Sequence, residues 1–278
     1  MKYMQWIGLI TVAASTAFVM PAGAASHGTV IRFSSLDKSH PLMVSGTLYM
    51  PDDRSSPCPA VVVVHGTGGI DSRGAFYRTS ILKAGIAFFE VDFKTGIYTG
   101  TMDRPSPQTF VPLGFAALKE LRKLPAIDPG RIAIMGFSMG GHLTVNEAFE
   151  ANRQKWMGSE RGFVAHVGLY PVCKSFLTQS DCRMTGAPMI ILYGTEDAYG
   201  EGKSVPAFKS LLLNRYNFEV TTVEYPGATH AFDRDGPSVH YADPAAIGGR
   251  GYMAWDANAA KDSLARVVDF LKKNLTAK

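Results

Sequence analysis

Charge and cysteine are both scarce in this sequence. Only 19% of the 278 residues are charged, and the formal net charge of +4 is spread without runs of one sign. That leaves no footprint for a nucleic acid partner. The three cysteines, Cys58, Cys173 and Cys182, and the seven histidines nowhere show the paired spacing of a zinc site, so no structural metal is expected. Internal repeats, low-complexity tracts and linker-like segments are missing too, which points to one substantial globular domain. Beyond the first two dozen residues, no apolar run approaches the roughly 20 residues of a membrane-spanning helix.

Those first residues have a pattern of their own. Lys2 is followed by an apolar stretch from Trp6 to Met20 and by the small residues Ala22-Gly23-Ala24, the layout of a secretory signal cleaved after Ala24. A membrane anchor is the rival reading, weakened by the short run and by Thr11, Ser15 and Thr16 within it. The expectation is a leader over residues 1–24 and a single catalytic domain over 25–278, acting in the periplasm or outside the cell, with no stable membrane association after cleavage. In such an oxidising setting, Cys173 and Cys182 are close enough in sequence to close a small disulfide loop, with Cys58 left over. Other pairings, or three free thiols, remain open.

From Val30 onward, short β-branched runs alternate with longer amphipathic stretches, the signature of an α/β fold with a mostly parallel sheet. Val30–Phe33 and Met43–Met50 read as an opening antiparallel pair. Ala60–His65, almost pure valine, suits a strand buried on both faces. Further strands are expected at Ile86–Asp92, Arg131–Gly136, Phe163–Tyr170, Met189–Tyr193 and Glu219–Tyr225, which makes about eight. Helices are expected at Tyr77–Ala84, Phe110–Lys123, Met139 to about Ala151, Pro206–Tyr216 and Asn258–Leu275. Phe93–Gln108 reads as a polar loop, and Asp233–Trp255 as an irregular insertion.

Chemistry enters at Gly136-Phe137-Ser138-Met139-Gly140, set between an apolar strand and a helix. A serine on such a turn stands clear of the sheet, and glycines on either side avoid collisions with neighbouring backbone. Its hydroxyl needs a histidine base and a carboxylate to orient that base. Asp197 follows one strand and His230 the next, both at carboxyl ends, where open α/β sheets place functional groups. Glu196 competes with Asp197 on position alone. The oxyanion of a tetrahedral intermediate would take its donors from the Met139 amide and from the loop His65-Gly66-Thr67-Gly68-Gly69, with Thr67 first and Gly68 behind it. The other histidines read as structural, apart from His240, which lies in the insertion and could touch substrate.

This combination resembles the α/β-hydrolase superfamily and, within it, the dienelactone hydrolase family. The resemblance runs from about Met43 to the C-terminus and is carried by the elbow, by Ile127-Asp128-Pro129-Gly130-Arg131-Ile132, by Leu192-Tyr193-Gly194-Thr195-Glu196-Asp197, and by His230-Ala231-Phe232-Asp233-Arg234. It implies the α/β-hydrolase fold, a twisted and mostly parallel sheet of about eight strands with helices on both faces. It also implies a carboxylic-ester hydrolase, possibly acting on lactones, that uses no cofactor and takes a small-molecule ester. Two departures matter: dienelactone-cleaving members typically carry a cysteine where Ser138 stands, and a glutamate where Gly66 stands. The resemblance further implies that Arg234 helps bind a substrate carboxylate, and so an anionic substrate; the alternative is that Arg234 pairs with Asp233, Asp235 or another surface carboxylate. Arg104 and Tyr98, in the loop after the fourth strand, are weaker substrate-binding candidates. Prolyl-oligopeptidase-type peptidases share the order of these residues but usually carry an additional large domain, and a non-catalytic binder would be expected to have lost one of Ser138, Asp197 and His230.

Overall fold

The computed structural model describes residues 28–39, 41–52, 57–94 and 107–275. The expected leader over 1–24 and the expected pocket residues Tyr98 and Arg104 lie outside these described residues. The strands β1 (Thr29–Ser34), β2 (Met43–Tyr49), β3 (Cys58–Val64), β4 (Ala87–Asp92), β5 (Ile127–Phe137), β6 (His166–Leu169), β7 (Met189–Gly194) and β8 (Thr221–Tyr225) form one sheet in the order β1-β2-β4-β3-β5-β6-β7-β8. β2 runs antiparallel to both β1 and β4, and every other pairing in the sheet is parallel.

Packing explains why β3 reads as valine. Its side chains alternate between faces, so Val62 and Val64 enter one apolar cluster and Val61 and Val63 the other. The first cluster takes in Phe110, Leu113, Ala117 and Leu121 of α2 (Pro107–Arg122). The second takes in Tyr77 and Ile81 of α1 (Ser72–Lys83) and Val267 and Leu271 of the last helix, α6 (Ala257–Leu275). Helices therefore cover both faces of the sheet, as an α/β hydrolase requires. Among the described residues, no helix is long and apolar enough to cross a membrane.

Three local expectations need correction. The helix after Ser138 is not continuous: α3 (Met139–Asn146) stops, and α4 (Glu150–Met157) starts after Phe149 bridges to Met184. The insertion is not wholly irregular, because β9 (Val239–Ala242) and β10 (Arg250–Met253) pair as an antiparallel hairpin. The structure contains no Cys173–Cys182 disulfide, both thiols being unbridged and buried. The Cys182 thiol points at the Phe176 carbonyl, 3.5 Å away, while the Cys173 thiol and amide both turn to Glu201. Nearness in sequence places two cysteines in one loop but does not aim their sulfurs at each other.

Candidate active site

The elbow is built from backbone collisions that only glycine avoids. A β-carbon on Gly136 would lie 2.1 Å from the Gly140 carbonyl oxygen, and one on Gly140 would lie 2.3 Å from that of Val64. Between them Ser138 adopts φ 56°, ψ −113°, and its amide bonds to Leu169 O at 2.9 Å. Four non-glycine residues of the described chain have positive φ, and three of them, Ser138, Tyr170 and Ala231, gather around His230. Backbone strain of this kind persists only where surrounding structure enforces it.

Three side chains then meet in a line. The Ser138 hydroxyl lies 2.8 Å from His230 Nε2, and His230 Nδ1 lies 2.7 Å from Asp197 Oδ2. Asp197 is buried and also accepts the Tyr199 amide at 2.9 Å through Oδ1. With Nδ1–H donated to the carboxylate, Nε2 is free to accept the serine proton. Glu196, the competing carboxylate, is exposed. The imidazole is gripped edge-on by two rings, Tyr170 with centroids 4.9 Å apart and Tyr199 at 4.6 Å. Of these two, Tyr199 carries no sequence signal beyond standing two residues after Asp197.

Two stretches of backbone adjoin Ser138, the start of α3 and the glycine turn after β3. Met139 opens α3, so its N–H has no partner within the helix. The glycine turn is closed by the Gly69 amide on Gly66 O at 3.0 Å, which leaves the amides of Thr67 and Gly68 at its tip. The turn abuts the elbow: the point where a β-carbon on Gly66 would sit is 3.4 Å from Phe137 O and 3.5 Å from Ser138 Cβ. His65 braces this turn, with Nδ1 2.6 Å from Gly66 O and Nε2 accepting the Phe93 amide at 3.1 Å. His142 and His166 are buried on backbone carbonyls, and burial lowers the His166 pKa to about 4. His240 stacks on Tyr252 in the hairpin, with ring centroids 4.5 Å apart.

Sequence reasoning missed a charged cluster beside Ser138. Asp71 caps α1 and binds the Arg73 side chain in a fork, 2.8 Å to Nε and 2.7 Å to Nη2. Arg73 Nη1 donates to the Tyr170 hydroxyl at 3.2 Å, and that hydroxyl donates to buried Asp233, which also accepts from Tyr77 at 2.8 Å. Arg234, the expected substrate anchor, has its Nε 4.0 Å from Asp71 Oδ2. Burial works to raise the Asp71 pKa, but the bonds and charge of Arg73 and the charge of Arg234 hold it below the ordinary value. Burial keeps Asp233 above its ordinary value. The only signal for this cluster was the arginine two residues after a helix-capping aspartate.

The family model described as the dienelactone hydrolase family matches residues 44–275. No curated protein matches the chain. Similar solved structures include P91, a dienelactone hydrolase-like promiscuous phosphotriesterase from metagenomic libraries, 18% identical with a TM-score of 0.61 over 89% of this chain and 99% of that one. The native esterase 2 of the planctomycete Thermogutta terrifontis is 18% identical, with a TM-score of 0.63 over 91% of this chain and 95% of that one. Est1E from Butyrivibrio proteoclasticus is 14% identical, with a TM-score of 0.60 over 91% of this chain and all of the other. At these identities what is shared is the fold.

Proposed function

The chain belongs to the dienelactone hydrolase family, and on that footing we propose that it is a serine hydrolase cleaving carboxylic esters through an acyl-enzyme. The reading rests on one observation, the unbroken line from Ser138 through His230 to Asp197 at 2.8 and 2.7 Å. In the first step His230 Nε2 takes the Ser138 proton while Oγ attacks the carbonyl carbon, and the oxyanion forms against the amides of Met139 and Thr67. The tetrahedral centre collapses, the alcohol leaves with the proton from His230, and an ester to Ser138 remains. Water, giving its proton to Nε2, then attacks that ester, and collapse returns the proton to Ser138 and frees the acid. Asp197, bonded to Nδ1, steadies the imidazolium. None of these steps calls on a metal or cofactor. The leader-like pattern over residues 1–24 supports export of the mature enzyme.

Incubation with an organophosphate, followed by mapping of the adduct, tests the reading. A single phosphoryl group on Ser138 is expected, with hydrolysis of short 4-nitrophenyl esters that falls by several orders of magnitude in Ser138→Ala while the fold is kept. An unlabelled Ser138 and no ester turnover would refute it. Hydrolysis of a prolyl amide in preference to esters would redirect it to a peptidase.

A further inference from the structure

We propose that Asp71 closes this site to carboxylate-bearing esters, so that the substrates are uncharged esters. The proposal rests on the ester-hydrolase reading above and narrows its substrate class. A guanidinium beside the nucleophile, with a second one directed at the same point, would ordinarily form a receptor for an anion. Here that receptor is already filled from within the chain. Arg73 Nη2 lies 3.2 Å from the Gly66 β-carbon point, which is itself 3.5 Å from Ser138 Cβ, so the guanidinium flanks the elbow. It packs over the ring of Phe137, the residue before the nucleophile, at 5.2 Å.

Both faces of this basic pair converge on one carboxylate. Asp71 takes the Arg73 fork and stands 4.0 Å from Arg234 through the same Oδ2 that binds Arg73 Nη2. The remaining terminal nitrogen of Arg73 is bonded to Tyr170. Asp71 is also fixed as the cap of α1, accepting the Arg73 amide at 3.1 Å, so it is tied to its position at no cost of association. A substrate carboxylate would have to displace an ion pair whose partner cannot diffuse away. Arg234 thus serves the protein's own carboxylate, the alternative that the sequence left open beside an anion site.

The test compares 4-nitrophenyl hexanoate with mono-4-nitrophenyl adipate, which differ only in a terminal methyl against a carboxylate. The native enzyme should favour the hexanoate in kcat/KM by about tenfold or more, the equivalent of ~1.4 kcal/mol. Asp71→Asn, which keeps the cap and removes the charge, should move that ratio about tenfold toward the adipate, and Asp71→Ser serves the same purpose if the first variant folds poorly. Native preference for the adipate, or a ratio unchanged by both substitutions, would overturn the proposal. A second arm needs no turnover: monomethyl adipate is titrated calorimetrically into Ser138→Ala protein with and without Asp71→Asn. Tighter binding in the double variant supports the proposal, and equal affinity overturns it. Absence of hydrolysis of both esters by the native protein would sink the hydrolase reading while leaving this titration to decide the role of Asp71.

Discussion

Glu201 sits behind Asp197 and provides a quantitative test of the site's electrostatics. It opens α5 (Glu201–Tyr216), is fully buried, and receives the Cys173 amide at 3.0 Å and the Ser204 hydroxyl at 2.6 Å on Oε2, while Oε1 has no partner. Burial, reinforced by the charge of Asp197, raises its pKa from 4.5 to about 8. The sign follows from proton linkage: the unfolded chain releases this proton near pH 4.5, whereas the folded chain holds it to about pH 8. Stability from this group is therefore complete below the unfolded pKa and is lost as pH rises through the folded one, at up to ~1.4 kcal/mol per pH unit. Glu201→Gln removes the titration but retains a carbonyl acceptor. Urea unfolding of both proteins at several pH values should show the native chain losing roughly 3 to 4 kcal/mol relative to the variant between pH 5 and pH 8. His166, depressed to about 4, acts in the opposite sense below neutrality, but it is common to both proteins and cancels in the difference. Parallel pH curves would show that Glu201 ionises normally in the fold and would refute the burial argument.

Two further predictions concern the geometry around His230. Gly140→Ala places a β-carbon 2.3 Å from Val64 O and 2.8 Å from His65 O, backbone atoms at the end of central β3 and just past it, so a stability loss of about 3 kcal/mol or more and a collapse of ester turnover are expected by denaturant titration and rate assay. Tyr199→Phe keeps the ring against His230 and removes only the bonds to Asp243 at 2.6 Å and Tyr241 at 3.2 Å, so kcat should fall by less than about tenfold, whereas Tyr199→Ala should lower kcat by more than that with KM little changed.

The parts of the site legible in the sequence are those whose chemistry forces a residue type at a fixed place in the fold. Ser138 needs glycines around it because the turn leaves no room for a β-carbon, and the structure places backbone oxygens at those positions. Asp197 and His230 stand just past the ends of β7 and β8, so strand boundaries together with the residue types that a serine nucleophile requires located them, although position alone left Glu196 beside Asp197. What stayed hidden depends on side-chain direction across long sequence separations. The fork between Asp71 and Arg73 is local, but its continuation to Tyr170, Asp233 and Arg234 joins three separate loops. The break after α3 was equally unreadable, because it follows from tertiary packing: the buried Glu147 carboxyl occupies the space beside Gly114, where a β-carbon would lie 1.7 Å from Oε1. The same holds for Cys173 and Cys182, whose spacing allowed a disulfide while the fold turns their thiols to Glu201 and to the Phe176 carbonyl.

The insertion over 233–255 raises the question of whether it moves, and its bonds answer it. The loops carrying Asp197 and His230 are already stitched together by Glu196 N to Ala228 O at 3.0 Å and Gly227 N to the Thr195 hydroxyl at 2.8 Å. The insertion adds contacts to both: Ile247 N bonds Ala198 O at 2.8 Å, Ala254 N bonds the Thr229 hydroxyl at 2.9 Å, and Met253 bridges His230 itself. Tyr199, wedged against the imidazole, is held by Asp243 and Tyr241 of the same segment. Each such bond is worth about 1 kcal/mol net, and lifting the hairpin would break several at once while releasing the ring that packs on the base. A lid gains by opening cheaply on the timescale of turnover. This hairpin instead opens only by dismantling the carboxylate and histidine loops, so it acts as a brace that holds the imidazole in register with Ser138.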